Sequence, residues 1–146
     1  MVHDGESGAR AAIENLIARY ALLVDTGDFG GVGELFADAT FVGSGVPAVG
    51  SAAVTTMLTG TVIRYPDGTP RTQHVTTNLA IDIDGDAATA TSYVTVLQAV
   101  PGALPLQPIA SGRYHDTFTH HNGQWRFAER RVSMPLLGDV RHHLRG

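Results

Sequence analysis

The sequence predicts an α+β domain, and three observations carry that prediction. The first third holds helical periodicity: Ile13, Leu16, Ile17, Tyr20, Leu23 and Val24 fall on one stripe at 3.6-residue spacing. The second half is rich in Val, Thr, Ile, Tyr and Phe. Three turn signals divide that half: Asp84-Gly85, the Pro/Gly stretch Pro101–Pro108, and Asn122-Gly123. Helices followed by a meander of strands pack as helices on one side of a mostly antiparallel sheet. If that sheet curves strongly, the helices close a cone around a pocket.

Residues 1–8 are polar and Gly-rich and are expected to fray. The first helix runs from Ala9 to about Thr26, where Gly27 supplies a stop. A second, short helix is expected over Phe29–Phe36, and Asp38–Val42 reads as a short strand. Gly43–Gly50 is a Gly/Pro loop, followed by a third helix from Ser51 to about Arg64. Four long strands are expected near residues 71–83, 86–100, 109–121 and 124–135. The apolar, irregular segment 101–108 is a candidate lid or subunit contact, and 138–146 is expected to be a flexible tail.

The 146 residues bound the answer to one domain with one core or one wrapped pocket. Hydrophobic residues at 43% and charged residues at 16% describe a globular chain, not a disordered one. A net charge of −4 and scattered arginines argue against nucleic acid as a partner. With no cysteine, neither a disulfide framework nor a thiolate zinc site can form. No secretory apolar segment follows the start, and no run approaches the roughly 20 apolar residues of a membrane span. A cytoplasmic protein without a membrane partner is expected. The abundance of Gly, Ala and Arg fits a GC-rich bacterial genome.

Three residues form a toolkit for abstracting a proton: Asp25, His74 and Arg130. A carboxylate holds an imidazole, the imidazole takes the proton, and a cation steadies the negative charge that develops. Asp25 lies about 100° from the centre of the helical stripe, on its flank, where a carboxylate needs a partner. Such an Asp could also simply bond a loop amide beyond Gly27. Strict alternation puts His74, Thr76, Asn78 and Ala80 on one face, with Val75, Thr77, Leu79 and Ile81 on the other. On the last strand it puts Arg130 with Ala128, Val132 and Met134, opposite Trp125, Phe127, Glu129 and Arg131. A guanidinium on an apolar face either pairs with a buried carboxylate or serves a ligand. Tyr20 sits mid-stripe, where its hydroxyl needs a partner if buried. Thr76, Asn78, Tyr93 and Tyr114 are candidate substrate contacts.

No metal site is expected. Neighbouring residues on a strand point to opposite faces, so the doublets His120-His121 and His142-His143 cannot chelate through both rings. Asp82-Ile-Asp84-Gly-Asp86 resembles part of a calcium loop but lacks its terminal Glu, and a hairpin turn explains it better.

The ordered contexts Ala11-Ala-Ile-Glu-Asn-Leu-Ile-Ala-Arg-Tyr20, Leu35-Phe-Ala-Asp38, Gln73-His-Val-Thr-Thr-Asn-Leu79, Gly112-Arg-Tyr-His-Asp-Thr-Phe118 and Trp125-Arg-Phe-Ala-Glu-Arg130 resemble one family. It is the SnoaL-like branch of the nuclear transport factor 2-like superfamily, and the likeness spans about residues 9–137. The resemblance implies the cone-shaped α+β barrel. It also implies a cofactor-free lyase using His74 as base, Asp25 as its partner, and Arg130 and Tyr20 as aids. The functional parallels are hexachlorocyclohexane dehydrochlorinase, bile acid 7α-dehydratase and scytalone dehydratase. The dehydrochlorinase has a Lys at the position of Tyr20, whereas the bile acid enzyme has a Tyr there. Loss of a hydroxyl is therefore favoured over loss of a halide. The implied substrate is an apolar, hydroxylated, polycyclic small molecule of steroid or polyketide type. Isomerisation or cyclisation by the same base, or a non-catalytic binding scaffold, are the alternatives. Related folds assemble through the sheet, so a homodimer or homotrimer is expected, with Trp125 and Phe127 on the covered convex face.

Overall fold

The computed structural model describes the backbone from residue 2 to residue 146, with side chains from Gly5 onward. The order is α1 (Val2–Asp25), α2 (Phe29–Leu35), β1 (Thr40–Val42), β2 (Ala48–Val49), α3 (Ser51–Thr61), β3 (Thr72–Asp84), β4 (Ala87–Val100), β5 (Leu104–His121) and β6 (Gln124–Leu137). The strands form one sheet in the order β2-β1-β6-β5-β4-β3. All neighbours run antiparallel except β1 and β6. The α+β prediction holds: three helices stand against a curved, unclosed sheet.

The stripe of α1 becomes its buried face, with Ile13, Ile17, Tyr20 and Val24 at most 5% exposed. Asp28 starts α2 by accepting a hydrogen bond from the Gly31 amide. The sheet curves because its long strands carry bulges, at Thr77/Ala80 on β3 and at Thr117/Phe118 opposite β6, among others. Each bulge inserts one residue and so reverses the alternation beyond it. This corrects two assigned faces. Beyond the β3 bulge, Ile81 joins His74 and Thr76 on the inner face, where strict alternation had opposed them. Beyond the β6 bulge, Arg130 shares the inner face with Phe127, which is 1% exposed. Trp125 is half-buried and packs against the same core. Phe127 therefore needs no cover on a convex face, because the protein's own interior supplies it.

Both chain ends carry backbone hydrogen bonds. Helix α1 already includes residues 2–8 (residue 1 lies outside the described residues). Extending an existing helix costs far less than starting one, so two glycines do not end it. The segment after β6 is tied down by hydrogen bonds from the Gly138 amide to Ile109 O, from the Ile63 amide to His143 O and from the Arg145 amide to Thr61 O. Only residues 101–103 of the expected irregular segment form a turn, and β5 begins at Leu104. Its prolines are tolerated there because β6 pairs with β5 only from Ala110 onward, so Pro105 and Pro108 lie on an open side.

Gly112 marks where the curvature leaves no room. A Cβ there would stand 1.9 Å from Ser133 O and 2.8 Å from the Cα of Met134. Both are backbone atoms held by the β5–β6 ladder and cannot move aside. Gly112→Ala is expected to destabilise the fold by about 1–3 kcal/mol or more, read as a lower midpoint in urea unfolding. An unchanged midpoint would show that the ladder yields there.

Candidate functional site

The site starts from a vacancy in the sheet. β3 is an edge strand, so alternate amides have no strand partner. His74 has such an amide, and it donates to Asp25 Oδ2 at 2.8 Å. Thr72 Oγ1 donates to Asp25 Oδ1 at 2.8 Å, and His74 Nδ1 stands 2.6 Å from that same oxygen. Asp25 is the last residue of α1, at the negative end of its dipole, where a carboxylate is disfavoured. Three donors offset that cost and tie the helix end to the sheet edge. An ionised carboxylate only accepts, which assigns the proton between them to Nδ1. Nε2 has no hydrogen-bond partner among the described residues. The His74 and Asp25 side chains are 8% and 17% exposed.

Deeper in the cone lies a second charged group. Arg130 is fully buried and grips the equally buried Asp116 through two bonds, Nε to Oδ1 at 2.8 Å and Nη2 to Oδ2 at 2.9 Å. The two residues face each other across β5 and β6. The guanidinium carbon lies 3.6 Å from the ring centre of Tyr114 and 4.3 Å from that of Tyr20. Burial by itself would lower the Arg130 pKa, but the bonded Asp116 carboxylate more than offsets it, so the cation is retained. Burial likewise pushes the Tyr20 and Tyr114 phenols up, against the pull of Arg130. Both therefore keep their protons. Nη1 of Arg130 and Oγ of Ser92, the β4 partner of Tyr114, are buried without a hydrogen-bond partner among the described residues.

The structure thus brings Asp25 and His74 together, and gathers Arg130, Tyr20 and Tyr114 in a second cluster. Thr76 lies on the inner face one alternation from His74. Two expected substrate contacts fall elsewhere. Tyr93 is 46% exposed on the outer face, with Arg113 stacked on it. Asn78 sits exposed in the β3 bulge, in the left-handed conformation that Asn tolerates. Arg130 holds Asp116, which realises the first of the two alternatives for a guanidinium on an apolar face. Sequence reasoning missed Asp116, although it alternates with Tyr114 and Phe118 on one face. It also missed His143, in the supposed tail. The His143 ring stands 6.2 Å from that of His74 and is 8% exposed. Burial, then the neighbouring His74 charge, pulls its pKa down to about 4, with Asp25 opposing. Among the described residues no cluster of three or more His, Asp or Glu side chains is placed to hold a metal ion.

An open groove of about 1050 Å³ lies at the other end of the long strands, between the N-terminal half of α1 and Trp125. It is remote from Asp25 and His74 and belongs to a different part of the surface.

The sequence profile of the SnoaL-like domain matches residues 5–131. The chain belongs to the SnoaL-like family. Solved structures agree in fold. A protein of unknown function from Mycobacterium tuberculosis is 30% identical over 94% of this chain and 78% of its own, with a TM-score of 0.76. A nuclear transport factor 2-like protein with a cystatin-like fold from Novosphingobium aromaticivorans is 25% identical, covering 92% and 86%, at 0.77. A candidate scytalone dehydratase from the same species is 25% identical, covering 94% and 91%, at 0.76. No curated protein matches this chain. No described helix is long and apolar enough to cross a membrane.

Two stability predictions follow from this SnoaL-like interior. Asp116→Ala leaves a buried cation unpaired and is expected to cost about 3–5 kcal/mol, whereas the double variant Asp116→Leu/Arg130→Met is expected to recover most of that. Chemical denaturation of the three proteins reads the difference, and an additive double variant would show that the two side chains are not energetically coupled. The second prediction concerns pH. His143 takes up its proton near 6.5 when unfolded but near about 4 when folded. Between those values the unfolded chain holds more protons, so stability falls as pH drops from about 6.5 to 4. Melting curves across that range are expected to flatten in His143→Gln, and an unchanged slope would assign the loss to other groups.

Proposed function

We propose that this protein is a cofactor-free lyase of the dehydratase type, acting on an apolar, polycyclic, hydroxylated small molecule of steroid or polyketide kind. The observation that carries the reading is the 2.6 Å contact between Asp25 and His74 Nδ1, which leaves Nε2 as a free base. A neutral His74 takes a proton from the carbon next to a carbonyl or conjugated system. Asp25 holds the tautomer and stabilises the imidazolium that forms. The electrons of the C–H bond form the new double bond, and the C–O bond breaks. His74 returns its proton to the departing hydroxide, so water leaves and the protein ends as it began. Tyr20 donates a hydrogen bond to the departing oxygen. Arg130, whose Nη1 has no hydrogen-bond partner among the described residues, supplies positive potential from the cone's interior.

The surroundings of these few polar groups are apolar: the inner strand faces carry Val94, Val96, Tyr114 and Phe118, all packed in the core. The likeness to a candidate scytalone dehydratase supports the same reaction type.

Mass spectrometry on pooled hydroxylated steroid and polyketide-like compounds tests this reading. Wild type is expected to remove one water from at least one compound. His74→Ala is expected to lower that turnover by about 10²–10⁴-fold. A product of unchanged mass would replace the lyase with an isomerase or cyclase. Full activity of His74→Ala would remove the proposed base, and a ligand bound but unaltered would point to a scaffold.

A further inference from the structure

The C-terminal segment is built into the site. It leaves β6 at Gly138, crosses the end of the sheet and pairs Leu144 with Val62 beyond α3. Two side chains hold its middle by donating to His142 O: Gln98 Nε2, at 3.0 Å, and the Tyr65 hydroxyl. Gln98 also donates to Pro70 O, just ahead of β3. Those bonds leave His143 little freedom, and its ring is turned inward against His74 at 65°. Yet its Nδ1 is buried without a hydrogen-bond partner among the described residues. A buried polar atom left unpaired is costly and needs a reason. Asp25 is already engaged by three donors, His74 directs its Nδ1 to Asp25, and no hydrogen bond joins the two imidazoles.

We infer that His143 is a substrate-contacting residue: a neutral imidazole that hydrogen-bonds an oxygen of the same molecule whose proton His74 removes. The inference rests on the reading of Asp25 and His74 as the reacting pair. The His143 ring stands 6.2 Å from that of His74, so one small molecule that reaches His74 Nε2 also reaches His143. The charge balance also fits. When His74 gains its proton, a second cation beside it is disfavoured, and burial already keeps His143 unprotonated near neutral pH. A neutral imidazole does not give up its N–H to a departing group, but it does donate that N–H to a carbonyl oxygen gaining negative charge. The ligand class narrows accordingly: the substrate carries a carbonyl or enolisable oxygen next to the carbon that loses its proton.

Two variants separate this role from packing. His143→Phe fills the space without a donor, and His143→Gln keeps one. On a compound that wild type dehydrates, His143→Phe is expected to lower kcat by about 10²-fold, the effect of losing one oriented donor, while His143→Gln regains most of it. Unchanged or equally reduced kcat in two variants with wild-type melting would overturn the role. A second measurement does not depend on turnover. Millimolar 2-naphthol, a polycyclic phenol, is added to protein labelled with ¹⁵N in its histidines. The ring nitrogens of His74 and His143 are expected to shift together, and a silent His143 overturns the inference. If no compound reacts at all, the lyase reading falls and the naphthol shifts alone decide on His143.

Discussion

The ion pair between Arg130 and Asp116 is the constraint around which this interior is arranged. Two full charges with no exposure are tolerated only when each is paired and hydrogen-bonded. The demand reaches outward through three elements. β5 and β6 must place positions 116 and 130 opposite each other, and the bulge at Thr117/Phe118 sets that register. α1 must bring Tyr20 over the guanidinium, and β5 must bring Tyr114. Tyr20 in turn packs edge-on to Phe36 and stacks on Phe41, which joins the charged centre to α2 and β1. A cone built on such a pair has a polar, rigid depth where an aliphatic core would be featureless.

The mouth of the cone depends on a different device. An edge strand leaves amides open, and Asp25 uses one of them together with the imidazole on the same residue. A single carboxylate thus anchors α1 to β3 and orients the proposed base. Position and chemistry are coupled, because the bond that fixes the helix end also decides which nitrogen of His74 is free. The C-terminal segment completes the enclosure by hydrogen bonds to its own backbone, and those bonds deliver a second imidazole to the first.

By itself the sequence determined the local chemistry: where helices and long strands lie, that the class is α+β, and that Asp25, His74 and Arg130 sit in contexts of the SnoaL-like family. Period and turn residues are short-range signals, so the element order survives without tertiary information. Tertiary structure decided what those signals could not carry. A one-residue bulge reverses every face beyond it, so Phe127 moved into the core with Arg130 and Ile81 joined the face of His74. The partner of a buried charge is chosen by strand register, so Arg130 found Asp116, fourteen residues away. Whether a polar tail is loose depends on distant acceptors and donors, and Gln98, Tyr65 and Ile63 turned residues 138–146 into part of the site.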